Sequence, residues 1–348
     1  MQKALIELGF QNATPVQEKA LPEILAGKDL MVSAETGSGK TAAFLLPMLS
    51  HMNSNPAPRS STRGLILVPT RELALQVLKA CEALARFTYI KAGLIIGGED
   101  FRHQINTLRK NPEILIATPG RMKEHMKNRN HDFSDLEYLV LDEADRMLDM
   151  GFGADVLSIT GECRTERQTL LFSATLSTGK EGRALKEMAR ELLASPEQLT
   201  LNTAKDPHQN IHQQIMLADD IAHKEKLLIW LLQNEPFEKA LVFTNTKAQA
   251  KTFFGKIRVK GLKVGVLHGD MDLRERKHVM RLLSDSKINI LIATDVAARG
   301  LDIKDVQLVI NLEMARNGDD YVHRIGRTGR AGEQGLAISL VGPDEWNR

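Results

Sequence analysis

Short apolar runs alternate with longer charged stretches along most of the chain. In the first half the runs are Leu65-Ile66-Leu67-Val68, Ile114-Leu115-Ile116-Ala117, Tyr138-Leu139-Val140-Leu141 and Leu170-Leu171-Phe172. Each ends in residues rich in Thr, Pro, Gly, Ser or Asp. A brief apolar run bounded by turn residues predicts a strand buried on both faces, and the stretches between have helical character. The pattern therefore predicts βα units and a parallel sheet. Ligands of such sheets bind beyond the carboxyl ends of the strands. Pro69-Thr70-Arg71-Glu72, Thr118-Pro119-Gly120-Arg121, Asp142-Glu143 and Ser173-Ala174-Thr175 each follow a run directly.

The rhythm weakens over residues 202–210, a polar stretch containing Pro207, and then restarts. The later runs are Ala240-Leu241-Val242-Phe243, Val264-Gly265-Val266-Leu267, Ile290-Leu291-Ile292-Ala293 and Leu308-Val309-Ile310. Ile114 to Thr118 and Ile290 to Thr294 read identically. With the repeated rhythm, that match favours two similar α/β domains in tandem. The expected division is residues 1–204, a linker over 205–211, and residues 212–348.

A chain of 348 residues suits two cores better than one. No segment has the length and apolarity of a membrane span, and the start lacks a signal-peptide pattern. Cys81 and Cys163 make no disulfide or metal framework and read as reduced packing residues of a cytoplasmic protein. The net charge is +2, so any affinity for nucleic acid must come from a local cleft.

The chemistry lies in three segments. Ala34-Glu35-Thr36-Gly37-Ser38-Gly39-Lys40-Thr41 reads as a phosphate-binding loop, although Ala34 stands where the strict pattern has glycine. Gly37 and Gly39 let the backbone curl its N–H groups toward phosphates. Lys40 can reach the β- and γ-phosphates, and Thr41 can offer its hydroxyl to Mg²⁺. Asp142-Glu143-Ala144-Asp145 ends an apolar strand, where unpaired carboxylates are costly. Asp142 is expected to hold Mg²⁺ through water, and Glu143 to orient and deprotonate the attacking water. Arg327 and Arg330 are three apart and would share a face if helical. Such pairs are most often a solvated helix end. As fingers on a γ-phosphate they would contribute on the order of 10³–10⁵ in rate, and only when two domains close.

Together these residues resemble the DEAD-box ATP-dependent RNA helicases, over nearly the whole chain. The resemblance implies two tandem RecA-like domains, each a parallel sheet flanked by helices, and an ATP-driven RNA helicase. Gly9 to Gln17 resembles the family's Q motif, which implies that Gln17 reads adenine and that Phe10 packs on the base. The same resemblance places Arg71, Gly97, Gly98, Thr118, Arg121, Thr244, Arg276, Thr294 and Arg299 on RNA, and Asp302 on the ribose of ATP. It makes Ser173, Thr175 and His323 the coupling residues, and Arg327 and Arg330 the fingers.

The chain departs from the family pattern at Ala13, Leu273 and Ala315. It reads as a helicase core cut at both ends. The segment Met147 to Phe152, with 161–164 and 168–175, most resembles the bacterial SrmB-type helicases of ribosome assembly. The expected activity is local, non-processive RNA unwinding by a monomer, with ribosomal RNA and ribosomal proteins as partners. The competing readings are an ATP-gated RNA clamp and a role in RNA decay or translation.

Overall fold

The computed structural model describes residues 1–34, 37–57, 62–131, 133–173, 180–201, 210–298, 303, 306–329 and 333–346. The chain divides into two compact units, Met1–Asn202 and Thr203–Arg348. Much of the expected linker lies outside the described residues, and Ile211, its last position, opens a strand.

Unit 1 holds strands β1 (Leu30–Ser33), β2 (Gly64–Leu67), β3 (Ala92–Ile95), β4 (Ile114–Ala117), β5 (Tyr138–Leu141), β6 (Gln168–Ser173) and β7 (Glu197–Thr200). They form one sheet in the order β3-β4-β2-β5-β6-β1-β7. Unit 2 holds β8 (Ile211–Leu217), β9 (Ala240–Thr244), β10 (Val264–Leu267), β11 (Ile290–Thr294), β12 (Leu308–Asn311) and β13 (Gly335–Val341). Their order is β10-β11-β9-β12-β13-β8. Every pairing in both sheets is parallel.

The interior strands β2, β4, β5 and β6 are buried at every position. Helices on both faces require this, so these strands read as continuous apolar runs. Alternate residues go to opposite faces. Leu65, Leu115, Leu139 and Leu171 join one core cluster of unit 1. In unit 2, Leu241, Leu291 and Val309 join one cluster, and Val242, Ile292 and Ile310 the other.

The repeated Ile-Leu-Ile-Ala-Thr segment has a topological counterpart. β4 and β11 are each second from a sheet edge, between β3 and β2 in unit 1 and between β10 and β9 in unit 2. Thr118 and Thr294 thus occupy corresponding strand ends. Cys81 and Cys163 are free and buried, and burial pushes both thiols up to about 12. Among the described residues no helix is long and apolar enough to cross a membrane.

Candidate functional site

The phosphate loop runs from the end of β1 into the helix Lys40–Ser54. The Ala34 amide donates to the Ser173 carbonyl at 3.0 Å, which ties the start of the loop to the end of β6. Gly37 (φ +88°) and Gly39 (φ +96°) adopt left-handed conformations that suit glycine. Lys40 is buried, and its Nζ donates to the Ala34 carbonyl at 2.9 Å across the mouth of the loop. Thr41 follows at the first turn of that helix. Glu35 and Thr36 lie outside the described residues.

Gln17 joins this loop from another helix, Pro15–Leu25. Its Oε1 accepts from the Thr14 amide at 3.0 Å, and its Nε2 donates to the Gly39 carbonyl at 3.2 Å. A Cβ on Gly39 would stand 2.6 Å from Gln17 Nε2 and 2.8 Å from Thr14 Oγ1. Only glycine fits there, and Thr14 Oγ1 is itself buried without a hydrogen-bond partner. A cradle of backbone amides with an orphaned hydroxyl and a buried ammonium fits a nucleotide triphosphate. Phe10 presents an exposed ring at the N-terminal end of the same segment.

Asp142 and Glu143 follow β5 and are both buried. Burial pushes the Asp142 carboxyl up to about 6, against the pull of Lys40 and of the Glu143 amide, which donates to its Oδ1 at 3.0 Å. Glu143 and Asp145 add to the upward push. A buried carboxylate at this setting suits a hard cation with oxygen ligands. Glu143 has φ +54° and caps the short helix Ala144–Asp149. Its Oε2 accepts from Arg146 Nη1 at 2.6 Å. Sequence reasoning missed Arg146, although an acid and a base three apart across a helix start is a legible signal.

A second group of residues gathers at the ends of β2, β3 and β4. Arg71 opens the helix Arg71–Ala85, capped by Thr70. Its guanidinium lies against Gly97 and Gly98, so close that a Cβ on Gly98 (φ +77°) would stand 2.2 Å from Nη1. Thr118 caps the helix Pro119–Lys127, and its amide donates to the Ile95 carbonyl at 3.0 Å. Arg121 Nη1 donates to the Glu99 carbonyl at 2.9 Å. Four of the expected RNA positions of unit 1 therefore adjoin one another: Arg71 meets Gly97 and Gly98, and Arg121 meets the loop that follows them.

In unit 2, Thr244 and Thr294 are buried at the ends of the paired strands β9 and β11. Arg276 Nη2 donates to the Ala297 carbonyl at 2.9 Å, just beyond Thr294. Arg299 and Asp302 lie outside the described residues, as do Thr175 and Arg330. Ser173 is buried at the end of β6. His323 and Arg327 line one cleft with Asp320, Asp295 and Phe243.

The helical placement of Arg327 is corrected. The helix Gly318–Ile325 ends before it. Arg327 sits in a turn, because Thr328 bridges back to Val306 and Gly329 takes φ +67°. Helical spacing therefore does not describe the placement of Arg327, and Arg330 lies outside the described residues.

Sequence reasoning also missed Arg324, which is 1% exposed. It grips Asp295 with two bonds, Nε to Oδ1 at 2.6 Å and Nη2 to Oδ2 at 2.7 Å. It also donates to Asn245 Oδ1 at 2.7 Å and to the Glu313 carbonyl at 2.6 Å. One side chain thus joins the segments after β9, β11 and β12. Its position two residues before Gly326 carried no signal distinct from its neighbours.

Residues 14–182 match the DEAD/DEAH box helicase family, and residues 223–332 the helicase conserved C-terminal domain. The chain is 43% identical over 340 residues to the ATP-dependent RNA helicase SrmB of Escherichia coli (strain K12), spanning 97% of this chain and 76% of that protein. It is 38% identical over 347 residues to the ATP-dependent RNA helicase RhlB of Shewanella sediminis (strain HAW-EB3), spanning 98% and 78%. Among solved structures it is similar to S. cerevisiae Dbp5 bound to RNA and ADP BeF3, with TM-score 0.85 and 30% identity over 99% of this chain and 88% of that one. The chain belongs to the DEAD-box ATP-dependent RNA helicases, and it is an RNA-stimulated ATPase with two RecA-like domains.

Proposed function

We propose that this helicase performs local, non-processive remodelling of ribosomal RNA during assembly of the bacterial large ribosomal subunit. The observation that carries the ATP-driven part is the meeting of Gln17, Gly39, Lys40 and Asp142 at one set of strand ends. Similarity to SrmB supports the ribosomal part. In this reading the linker lies near residues 205–211, the protein acts as a monomer in the cytoplasm, and ribosomal proteins accompany its RNA.

Gln17 reads the adenine edge, since an amide both donates and accepts, and Phe10 packs on the base. Residues Ala34 to Thr41 bind the phosphates, with Lys40 moving from the Ala34 carbonyl to phosphate oxygens. Asp302 takes the ribose. Thr41 and, through water, Asp142 would hold Mg²⁺, which would neutralise developing charge on the phosphates. Glu143 orients a water and accepts its proton, with its carboxylate aimed by Arg146. Arg327 and Arg330 face the γ-phosphate, and Ser173, Thr175 and His323 couple that site to RNA.

Arg71, Gly97, Gly98, Thr118 and Arg121 hold the RNA backbone in unit 1, and Thr244, Arg276, Thr294 and Arg299 in unit 2. Backbone contacts make recognition independent of sequence, and contacts to the 2′-OH favour RNA over DNA. At about 1.4 kcal/mol per base-pair step, opening five steps costs on the order of 7 kcal/mol. One closure can supply that, and a long duplex is out of reach.

The first test is steady-state ATP hydrolysis with and without single-stranded RNA, and with DNA of the same sequence. Strong stimulation by RNA and weak stimulation by DNA are expected, and equal stimulation would remove the 2′-OH part. For the ribosomal part, cells lacking the protein should accumulate large-subunit precursors on sucrose gradients, and a normal profile overturns it.

Gly98→Ala tests the Arg71 contact. The new methyl forces the guanidinium away from its seat, at a backbone angle that disfavours any side chain. Losing one charge-assisted bond of about 1.5–3 kcal/mol corresponds to a rise of about ten- to a hundredfold in the RNA concentration for half-maximal ATPase. Unchanged half-saturation would mean that Arg71 does not hold RNA.

A further inference from the structure

We propose that Gln104, with Phe101 and His125, is a positioning element that presets Arg121 for the RNA backbone. The proposal rests on the reading that Arg121 contacts RNA, and it assigns a task to three residues outside the motifs that carry the family resemblance.

Gln104 lies on the helix Phe101–Arg109, which follows Gly97-Gly98 and is capped by Asp100. It is 3% exposed. Its Nε2 donates to the Ile96 carbonyl at 2.7 Å, which fixes the orientation of the amide. Oε1 then faces Arg121 Nη1 at 3.4 Å and His125 Nε2 at 3.1 Å. An amide oxygen only accepts, so His125 must carry its proton on Nε2. The other ring nitrogen agrees: His125 Nδ1 accepts from Asn130 Nδ2 at 3.3 Å. The imidazole is neutral, with a single tautomer set from both ends.

His125 also lies flat on Phe101, with centroids 4.0 Å apart and planes within 3°. The Phe101 ring in turn lies beneath the Arg121 guanidinium at 5.6 Å. Glu124 takes Nε at 2.9 Å, and the Glu99 carbonyl takes Nη1. The guanidinium is thus held from the amide side, from the ring face and from its own helix, while its side chain keeps 15% exposure. The cost of ordering a long cationic side chain is met on folding and not on binding, so a phosphate meets a cation already aimed. A buried glutamine could serve only to hold the Ile96 carbonyl, and the experiment separates the two roles.

The RNA-concentration dependence of ATPase is measured for the full chain, Arg121→Ala, Gln104→Met and the double variant. Gln104→Met should raise the half-saturating RNA concentration by about 3- to 10-fold, with turnover at saturating RNA and the KM for ATP retained. The double variant should be no worse than Arg121→Ala alone, because the platform acts only through that arginine. If Arg121→Ala leaves half-saturation unchanged, the RNA contact itself is wrong. If Arg121→Ala weakens RNA while Gln104→Met does not, or if the two losses add in full, the positioning role is overturned. Phe101→Leu, at a half-buried ring, gives an independent reading should Gln104→Met fail to fold. A raised half-saturation supports the platform, and a wild-type curve overturns it.

Discussion

Replacing Glu143 by glutamine is expected to lower RNA-stimulated ATP turnover by about 10²–10⁴-fold, the usual contribution of a general base. ATP affinity should change little. Glutamine matches the shape of glutamate, and its Oε1 can still accept from Arg146. What it loses is the capacity to take a proton. The backbone supports a task-specific placement. Glu143 is one of the non-glycine residues with positive φ. Asn111, Arg129 and Ser286 lie just beyond helix ends, where such turns are common, whereas Glu143 begins a helix. A bulky residue held in that conformation at a helix start is strain maintained by its surroundings. Arg146→Met should cost less, about tenfold, since the carboxylate stays and only its aim is lost. Single-turnover hydrolysis with nucleotide-binding controls separates these cases. Equal loss of ATP affinity and turnover in Glu143→Gln would make the residue a structural cap and not the base.

Legibility in the sequence followed burial. Every apolar run named from sequence lies on a strand, with Val68 just past the end of β2, and all of those strands except β10 lie in the interior of a sheet. Of the four edge strands, β10 was legible as an apolar run and β3, β7 and β8 were not. Glu197-Gln198-Leu199-Thr200 faces solvent on most sides, and β8 reads His212-Gln213-Gln214 in its middle. An edge strand gains its hydrogen bonds from one neighbour and need not be apolar, so periodicity finds it only where its residues are mostly buried, as in β10. β1 and β13 are interior strands that were also passed over, because four residues before a glycine-rich loop and a strand opening on glycine resemble loop margins.

The candidate site divides in the same way. Motif residues announce themselves by type and spacing, as Gly37, Gly39, Lys40, Asp142 and Glu143 do. The residues that hold them do not. Arg324 joins three strand ends, and Gln104 reaches both Ile96 and Arg121, through contacts set by topology and not by proximity in sequence. Arg63, 2% exposed and paired to Glu137 through two bonds at 2.6 and 2.9 Å, is a further case. A buried arginine is rare enough that sequence alone argues against it, and only the fold supplies its partner.

Asp142→Asn is expected to abolish turnover and at the same time to stabilise the ligand-free protein at pH 7.5. The sign follows from the direction of the shift. Burial raises the Asp142 carboxyl to about 6, so the folded state holds this proton more tightly than the unfolded chain does. The group contributes stability that is fully present below the unfolded value, near 4, and that is lost as pH rises through 6. Above that pH the folded protein bears a cost of about 3 kcal/mol for an ionised carboxylate in a buried setting. Asparagine resembles the protonated form and carries no such cost. The thermal midpoint of the variant should therefore exceed that of the parent by about 5 °C at pH 7.5, and the gap should narrow toward pH 5. Addition of Mg²⁺ and ATP should reverse the order, because only the parent offers a carboxylate to the cation and gains stability from binding it. A variant less stable than the parent at pH 7.5 without ligand would mean that Lys40 and the Glu143 amide already satisfy the charge. The expected inversion instead makes Asp142 a group kept at a disadvantage by the empty fold, so that nucleotide and cation together have something to relieve.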